Sequence, residues 1–254
     1  MRKRLLWTIV CSIFVSMLLY TGSFFKYTGN KVKLNASAKI HIGNEYVGWE
    51  EKKIKENPNY ENLWILIDIN EKRLELIDLE RKEILKKYRI ASGKPSTPSP
   101  IGSWKIIRKG RWGEGFGTRF MGLNVPWGKY GIHGTNKPNS IGWASSHGCI
   151  RMNNKDIEDL YKRVKVGTPI TIQGGTFGPF GNGFRVIEPG FRGSDVYEVQ
   201  RYMKKRGYYP LWVDGIYGEG MKRYVIKFRK DHGLKLTHNV DMEFYKVLGI
   251  QLFE

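Results

Sequence analysis

The sequence predicts a multidomain α+β chain, with a mostly-β domain over 61–175 and a small three-helix bundle over 189–254. Three observations carry the prediction. Short apolar runs separated by turn-like breaks begin at Asn62. A glycine-rich stretch, "GGTFGPFGNGF", interrupts the chain after Gln173. Beyond it, apolar residues recur at spacings of three and four, and each such run stops at a glycine.

The elements follow in order. Leu5 to Phe25 carries no charge and is long enough to cross a hydrocarbon core as a helix. Arg2, Lys3 and Arg4 precede it, so residues 1–4 are expected to stay cytoplasmic, with 5–25 as a transmembrane signal-anchor. A cleavable signal peptide is the rival, with "ASA" at 36–38 as its site, although that triplet lies well past the apolar run. Residues 26–60 are Lys- and Asn-rich and read as a juxtamembrane stalk. The catalytic and C-terminal parts are then expected on the extracytoplasmic, cell-wall side of the membrane.

"LWILID", "RLELIDL" and "EILKKYRIAS" are three short strands in a meander. Pro95, Pro98 and Pro100 mark a loop leading into a strand at 103–107, and "NVPWGKYGIHGT" reads as strand and turn. A helix capped by Asn153 or Asn154 places Ile157, Leu160, Tyr161 and Val164 on one face, and "TPITIQ" closes the domain. Residues 176–188 form the linker. Helices are then expected from Ser194 to Gly207, through Met221 and Phe228 to Gly233, and from Asp241 to Gly249. Of the aromatic residues there, Tyr208, Tyr209, Trp212 and Tyr217 either stack on sugars or fill the core.

The formal charge is +19, with excess positive charges of 6, 9 and 4 over 1–60, 61–175 and 176–254. An excess so evenly spread fits attraction to an anionic matrix, and no nucleic-acid-reading motif accompanies it.

The chemistry centres on "SSHGCIRM". Cys11 lies in the apolar run, which leaves Cys149 without a partner in an exported domain. Histidine is the usual activator of a thiol. Two of the five histidines, His133 and His147, fall near Cys149 in sequence. On an extended segment His147 and Cys149 share a face. Gly134 and Gly148 leave room for close approach, N–H groups around Gly148 and Cys149 suit an oxyanion hole, and Arg151 suits a carboxylate. A buried inert cysteine and a zinc site built from His133, His147 and Cys149 stay open as alternatives. His41, His232 and His238 read as structural.

With these residues in view, the chain resembles the L,D-transpeptidases of bacterial cell walls. The resemblance spans roughly 61–175 and rests on "TPSPIGSWKI", "FGTRFMGLNVPWGKYGIHGTN" and "SIGWASSHGCIRM". It implies a β-sandwich or barrel-like catalytic domain with Cys149 as nucleophile and His133 as general base. It further implies that His147, Gly148 and Arg151 shape the oxyanion and substrate site, and that the Gly134 carbonyl orients His133. No metal or cofactor is implied. Some relatives carry Asn where this chain has Arg151. The region of "GSDVYEVQRYMKKRGYYP" and "VDGIYGEGMKRYVIKFRKDHGL" resembles a peptidoglycan-binding domain. The implied activity is formation of 3→3 cross-links on tetrapeptide stems, with peptidoglycan stem peptides and the cell-wall matrix as partners. An L,D-carboxypeptidase using water, an inert wall-binding scaffold and a Cys–His endopeptidase are the alternatives.

Overall fold

The computed structural model describes residues 62–250 except Trp112, together with the backbone of three short strands, β1 (Ile40–Ile42), β2 (Glu45–Val47) and β3 (Glu50–Glu51). The expected cytoplasmic N-terminus, the anchor at 5–25 and most of the expected stalk lie outside the described residues. Among the described residues no helix is long and apolar enough to cross a membrane. Within the expected stalk, β1 and β2 pair antiparallel.

Two similar turns build the first meander, β4 (Leu63–Asp68), β5 (Arg73–Asp78) and β6 (Glu83–Gly93). In "DINEK" the Asp68 carboxylate accepts from the N–H groups of Asn70 and Glu71. In "DLERK" Asp78 accepts likewise from Glu80 and Arg81. Lys72 and Lys82 close these turns in left-handed conformations at φ 53° and 55°. An aspartate that satisfies two turn amides offsets the strain of a non-glycine residue at positive φ.

The remaining strands are β7 (Gly102–Gly110), β8 (Phe120–Leu123), β9 (Gly131–Thr135), β10 (Ala144–Ser146), β11 (Ile150–Asn153) and β12 (Pro169–Gln173). Pairing runs β6-β11-β9-β8-β7-β12-β4-β5 and returns to β6, because this long strand pairs β5 along its first part and β11 further on. The sheet therefore closes on itself, as the barrel-like expectation required. Its interior is apolar, with Ile65, Ile67, Leu74, Leu76, Ile132 and Met152 fully buried. The helix α1 (Asn154–Arg163) inserts Ile157 and Leu160 into the same core. Asn153, one of the two expected caps, stands at its N-cap without a side-chain bond to the helix amides, and Asn154 instead accepts from the Thr118 N–H at 3.2 Å.

The C-terminal region forms three α-helices, α2 (Ser194–Lys205), α3 (Glu219–Asp231) and α4 (Met242–Leu248), around a second core of Val199, Met203, Val225, Phe228 and Phe244. Asp241 caps α4 through the Phe244 N–H, and Gly249 ends it in the left-handed region. Tyr209 and Tyr217 are buried in this core, whereas Trp212 is 80 % exposed. The glycine-rich stretch is tied down by its aromatic residues, because Phe180 and Phe184 pack on Tyr245 with ring centroids 5.7 and 4.7 Å away. The two cores meet at one aromatic junction. Trp104 and Trp127 of the barrel are 5.2 Å apart, and Tyr197 of α2 sits 5.5 Å from each.

Candidate active site

Cys149 and His133 come from neighbouring strands. β11 runs parallel to β9 with Arg151 opposite His133 and Ile150 opposite Ile132. Cys149, immediately before β11, is thus delivered to the edge of β9 that carries the histidine. Parallel pairing of two segments so close in sequence needs a crossover, and residues 136–149 supply it.

His133 is 3 % exposed. Its Nδ1 lies 2.5 Å from the Gly134 carbonyl oxygen, so Nδ1 carries the proton and donates, which leaves the Nε2 lone pair as the basic position. Phe116 packs edge-on at 4.8 Å and Phe120 stacks at 6.2 Å. Burial lowers the imidazole pKa from 6.5 to about 4, and the Arg151 charge pushes the same way; the Gly134 and Phe116 carbonyls oppose both and lose. Burial raises the Cys149 thiol, against a backbone hydrogen bond from Gly131 and the Arg151 charge. Desolvation therefore moves both groups toward their neutral forms, and the resting pair at neutral pH is thiol and imidazole.

The loop holding the thiol is pinned by Ser146, which is 1 % exposed. Its hydroxyl donates to the Cys149 carbonyl at 2.6 Å and accepts from the Gly148 N–H at 3.0 Å. Gly148 stands at φ 109°, and a Cβ there would come within 2.6 Å of the Tyr130 ring. Glycine is thus required twice over, for backbone conformation and for space.

Two expectations change. The chain bends at 147–149, so strand alternation does not relate His147 to Cys149; His147 is exposed while Cys149 is half-buried. The Gly148 N–H is already engaged by Ser146, so in this state the Cys149 N–H is the nearer candidate for an oxyanion donor. Arg151 is half-buried: one terminal nitrogen reaches the Ser145 carbonyl at 3.5 Å, and its buried Nε has no hydrogen-bond partner. A guanidinium with spare donors beside the thiol suits a carboxylate. Gly134 is as close-packed as Gly148, because a Cβ there would lie 2.3 Å from Asn154 Oδ1. Among the described residues, no three His, Cys, Asp or Glu side chains converge as metal ligands. His232 bonds the Phe228 carbonyl at 2.9 Å and stacks on that ring, a structural role.

Ser146 and Tyr130 were not singled out from sequence. Ser146 stood inside the quoted motif, but its role depends on a bend that no periodicity reports. Tyr130 stood beside Gly131 in "KYGIHGT", with nothing in the pattern to bring it against Gly148.

Comparison with known proteins places these residues in context. Residues 62–172 match the family model of the YkuD L,D-transpeptidase catalytic domain, and residues 192–248 match a peptidoglycan-binding domain model. The protein named L,D-transpeptidase YkuD in Bacillus licheniformis is 41% identical over 117 residues, covering 46% of this chain and 68% of that protein. Its namesake in Bacillus subtilis is 48% identical over 90 residues, covering 35% of this chain and 54% of that protein. A solved L,D-transpeptidase from Mycobacterium smegmatis aligns at 25% identity over 44% of this chain and 59% of its own, with a TM-score of 0.38.

Proposed function

The chain belongs to the YkuD family of L,D-transpeptidases, and we propose that it forms 3→3 cross-links in peptidoglycan by acyl transfer through Cys149. The observation that carries the reading is the buried His133, with Nδ1 committed to the Gly134 carbonyl and Nε2 left as the basic nitrogen.

The chemistry follows from that arrangement. His133 takes the thiol proton as Cys149 attacks the carbonyl of the third residue of a tetrapeptide stem. A pair that rests neutral makes its charges only as the reaction proceeds, which suits general-base catalysis better than a standing ion pair. The carbonyl oxygen gains negative charge near the Cys149 N–H. Collapse breaks the peptide bond, the terminal D-Ala leaves with the proton from His133, and a thioester remains on Cys149. The amine of a neighbouring stem's third residue then attacks and yields its proton to His133. The thiolate leaves as the new amide forms and recovers a proton from the imidazolium. Arg151, with its unpartnered Nε beside the thiol, holds a substrate carboxylate. His147 is exposed on the bend that carries the thiol.

The apolar run Leu5 to Phe25 after Arg2, Lys3 and Arg4 supports a membrane anchor that holds this chemistry on the wall side. The match over 192–248 supports wall binding by the C-terminal domain.

The test uses the full chain and its Cys149→Ala variant, incubated with disaccharide-tetrapeptides, with products read by mass spectrometry. The expected product is a dimer lacking one D-Ala, absent with the variant. A tripeptide monomer alone would make water the acceptor. No D-Ala release from any stem would overturn the reading.

A further inference from the structure

A cleft of 600 Å³ opens between the barrel and the C-terminal domain. That size falls within the range of ligand sites, roughly 300–1,000 Å³. One wall is the end of β6 with the loop after it, Ser92 to Ser99, and Ala144 of β10; the other is formed by Pro179 to Asn182, Arg185 and Arg192 to Asp195. The walls are held together by the Trp104, Trp127 and Tyr197 junction. Gly215 closes on the same junction: it stands at φ 68°, and a Cβ there would lie 2.4 Å from Trp127.

The cleft shares its inner wall with the thiol loop. Lys94 donates its backbone N–H to the Ser146 carbonyl at 3.0 Å, and Thr97 donates its hydroxyl to the same oxygen at 3.1 Å. Pro98, which lines the cleft, has its carbonyl 3.1 Å from where a Gly148 Cβ would stand. Its charge is one-sided, with Lys72, Lys94, Arg185 and Arg192 facing Asp195 alone. Lys72 is spent on the Ile69 carbonyl, and Arg185 on Asp195 at 2.6 Å. Lys94 and Arg192 have no ion pair or side-chain hydrogen bond among the described residues. Burial raises the Tyr130 phenol, against its bond with Trp127 and the Arg192 charge, while Cys149 adds to the rise.

We propose that this cleft binds a non-terminal carboxylate of the peptide on which Cys149 acts, with Arg192 and Lys94 as its ligands, so that the C-terminal domain forms one wall of the substrate site. The proposal rests on the acyl-transfer reading above. It differs from wall tethering, because it makes the second domain part of substrate recognition. A carboxylate held away from the scissile bond contributes equally to bound substrate and transition state, so its loss appears in KM and not in kcat.

The experiment compares the full chain with Arg192→Ala and Lys94→Ala, on tetrapeptide stems with non-terminal carboxylates free or amidated. Each substitution is expected to raise KM on the free stem about tenfold, with kcat kept within about twofold. The wild-type chain should show the same rise on the amidated stem, and the variants should lose nothing further there. An unchanged KM, or losses from amidation and substitution that add, would overturn the proposal. Should the wild-type chain release no D-Ala, calorimetric binding of both stems to full-chain Cys149→Ala still decides. A preference for the free stem that vanishes on adding Arg192→Ala supports the cleft, and equal binding of the two stems rejects it.

Discussion

The core of the helical bundle and the candidate site in the barrel each bury polar side chains, and they treat them in opposite ways. In the bundle, Gln200 is fully buried and saturated. Its amide nitrogen donates to Tyr209, Asp214 and the Ile216 carbonyl, and its oxygen accepts from the N–H groups of Asp214 and Gly215. Arg229 is equally buried, and donates to the carbonyls of Asn239 and Lys235 and to the Asp241 carboxylate. In the barrel, His133 is buried with its basic nitrogen in reserve, and Arg151 beside it keeps an unpartnered Nε. A polar group whose bonding capacity is filled by its own chain stabilises the fold. One left partly open stores binding capacity for another molecule. The bundle's buried polar groups belong to the first kind, and the candidate site is made of the second.

The sharpest test of that contrast substitutes His133. His133→Gln is expected to lower kcat/KM about 10³-fold, the scale of a lost general base. It should leave the fold intact, because what it removes is a group that burial holds away from its preferred state. The pH dependence has a definite sign. The unfolded chain protonates this histidine below pH 6.5, and the folded chain only below about 4. Folded stability is therefore greatest above 6.5 and falls between 6.5 and 4, by about 3 kcal/mol from this group. His133→Gln should flatten that part of the stability profile, as urea titrations at several pH values would show. The acid limb of kcat/KM in the wild-type chain should likewise fall near pH 4. A limb near 6.5 would mean a solvated imidazole and would break the contrast.

Arg229→Met probes the other side. It leaves the Asp241 carboxylate and two carbonyls without their donor, and it should cost about 3 kcal/mol, the scale of breaking a buried ion pair. D-Ala release per folded molecule should stay within a few-fold of the parent. A stability loss below about 1 kcal/mol would show that Arg229 adds little to the fold despite its saturation.

How far these roles could be read from sequence depended on whether they are local. The turns of "DINEK" and "DLERK", the helices with their stop glycines and the candidate residues Cys149 and His133 all lie within short stretches of chain, where spacing carries the physics. Closure of the barrel through β6 does not, because it depends on register between strands far apart in sequence. The bend at Gly148 undid the alternation argument for His147, since one left-handed residue resets which way its neighbours point. Tyr197 reads as one more apolar residue on a helix, and nothing in its own segment marks the Trp104 and Trp127 it meets. Sequence could not choose between the two expected caps for a related reason: Asn153 takes the N-cap, while Asn154 serves the distant Thr118.

Ser146 offers the finest test, because it is a saturated group inside the open site. Its hydroxyl is closed on both sides by the chain, so by the contrast above its role is to hold geometry and not to touch substrate. Ser146→Ala frees the Gly148 N–H and leaves the Cys149 carbonyl without its donor, and should cost about 1 kcal/mol of stability. The loop that aims the thiol then loses its brace, and kcat is expected to fall about tenfold with KM unchanged, as small displacements of a nucleophile do. Ser146→Thr keeps the hydroxyl and should recover most of the rate wherever the extra methyl fits. A KM effect in Ser146→Ala would instead place this hydroxyl in contact with the peptide, and the line between filled and open groups would have to be redrawn within the loop itself.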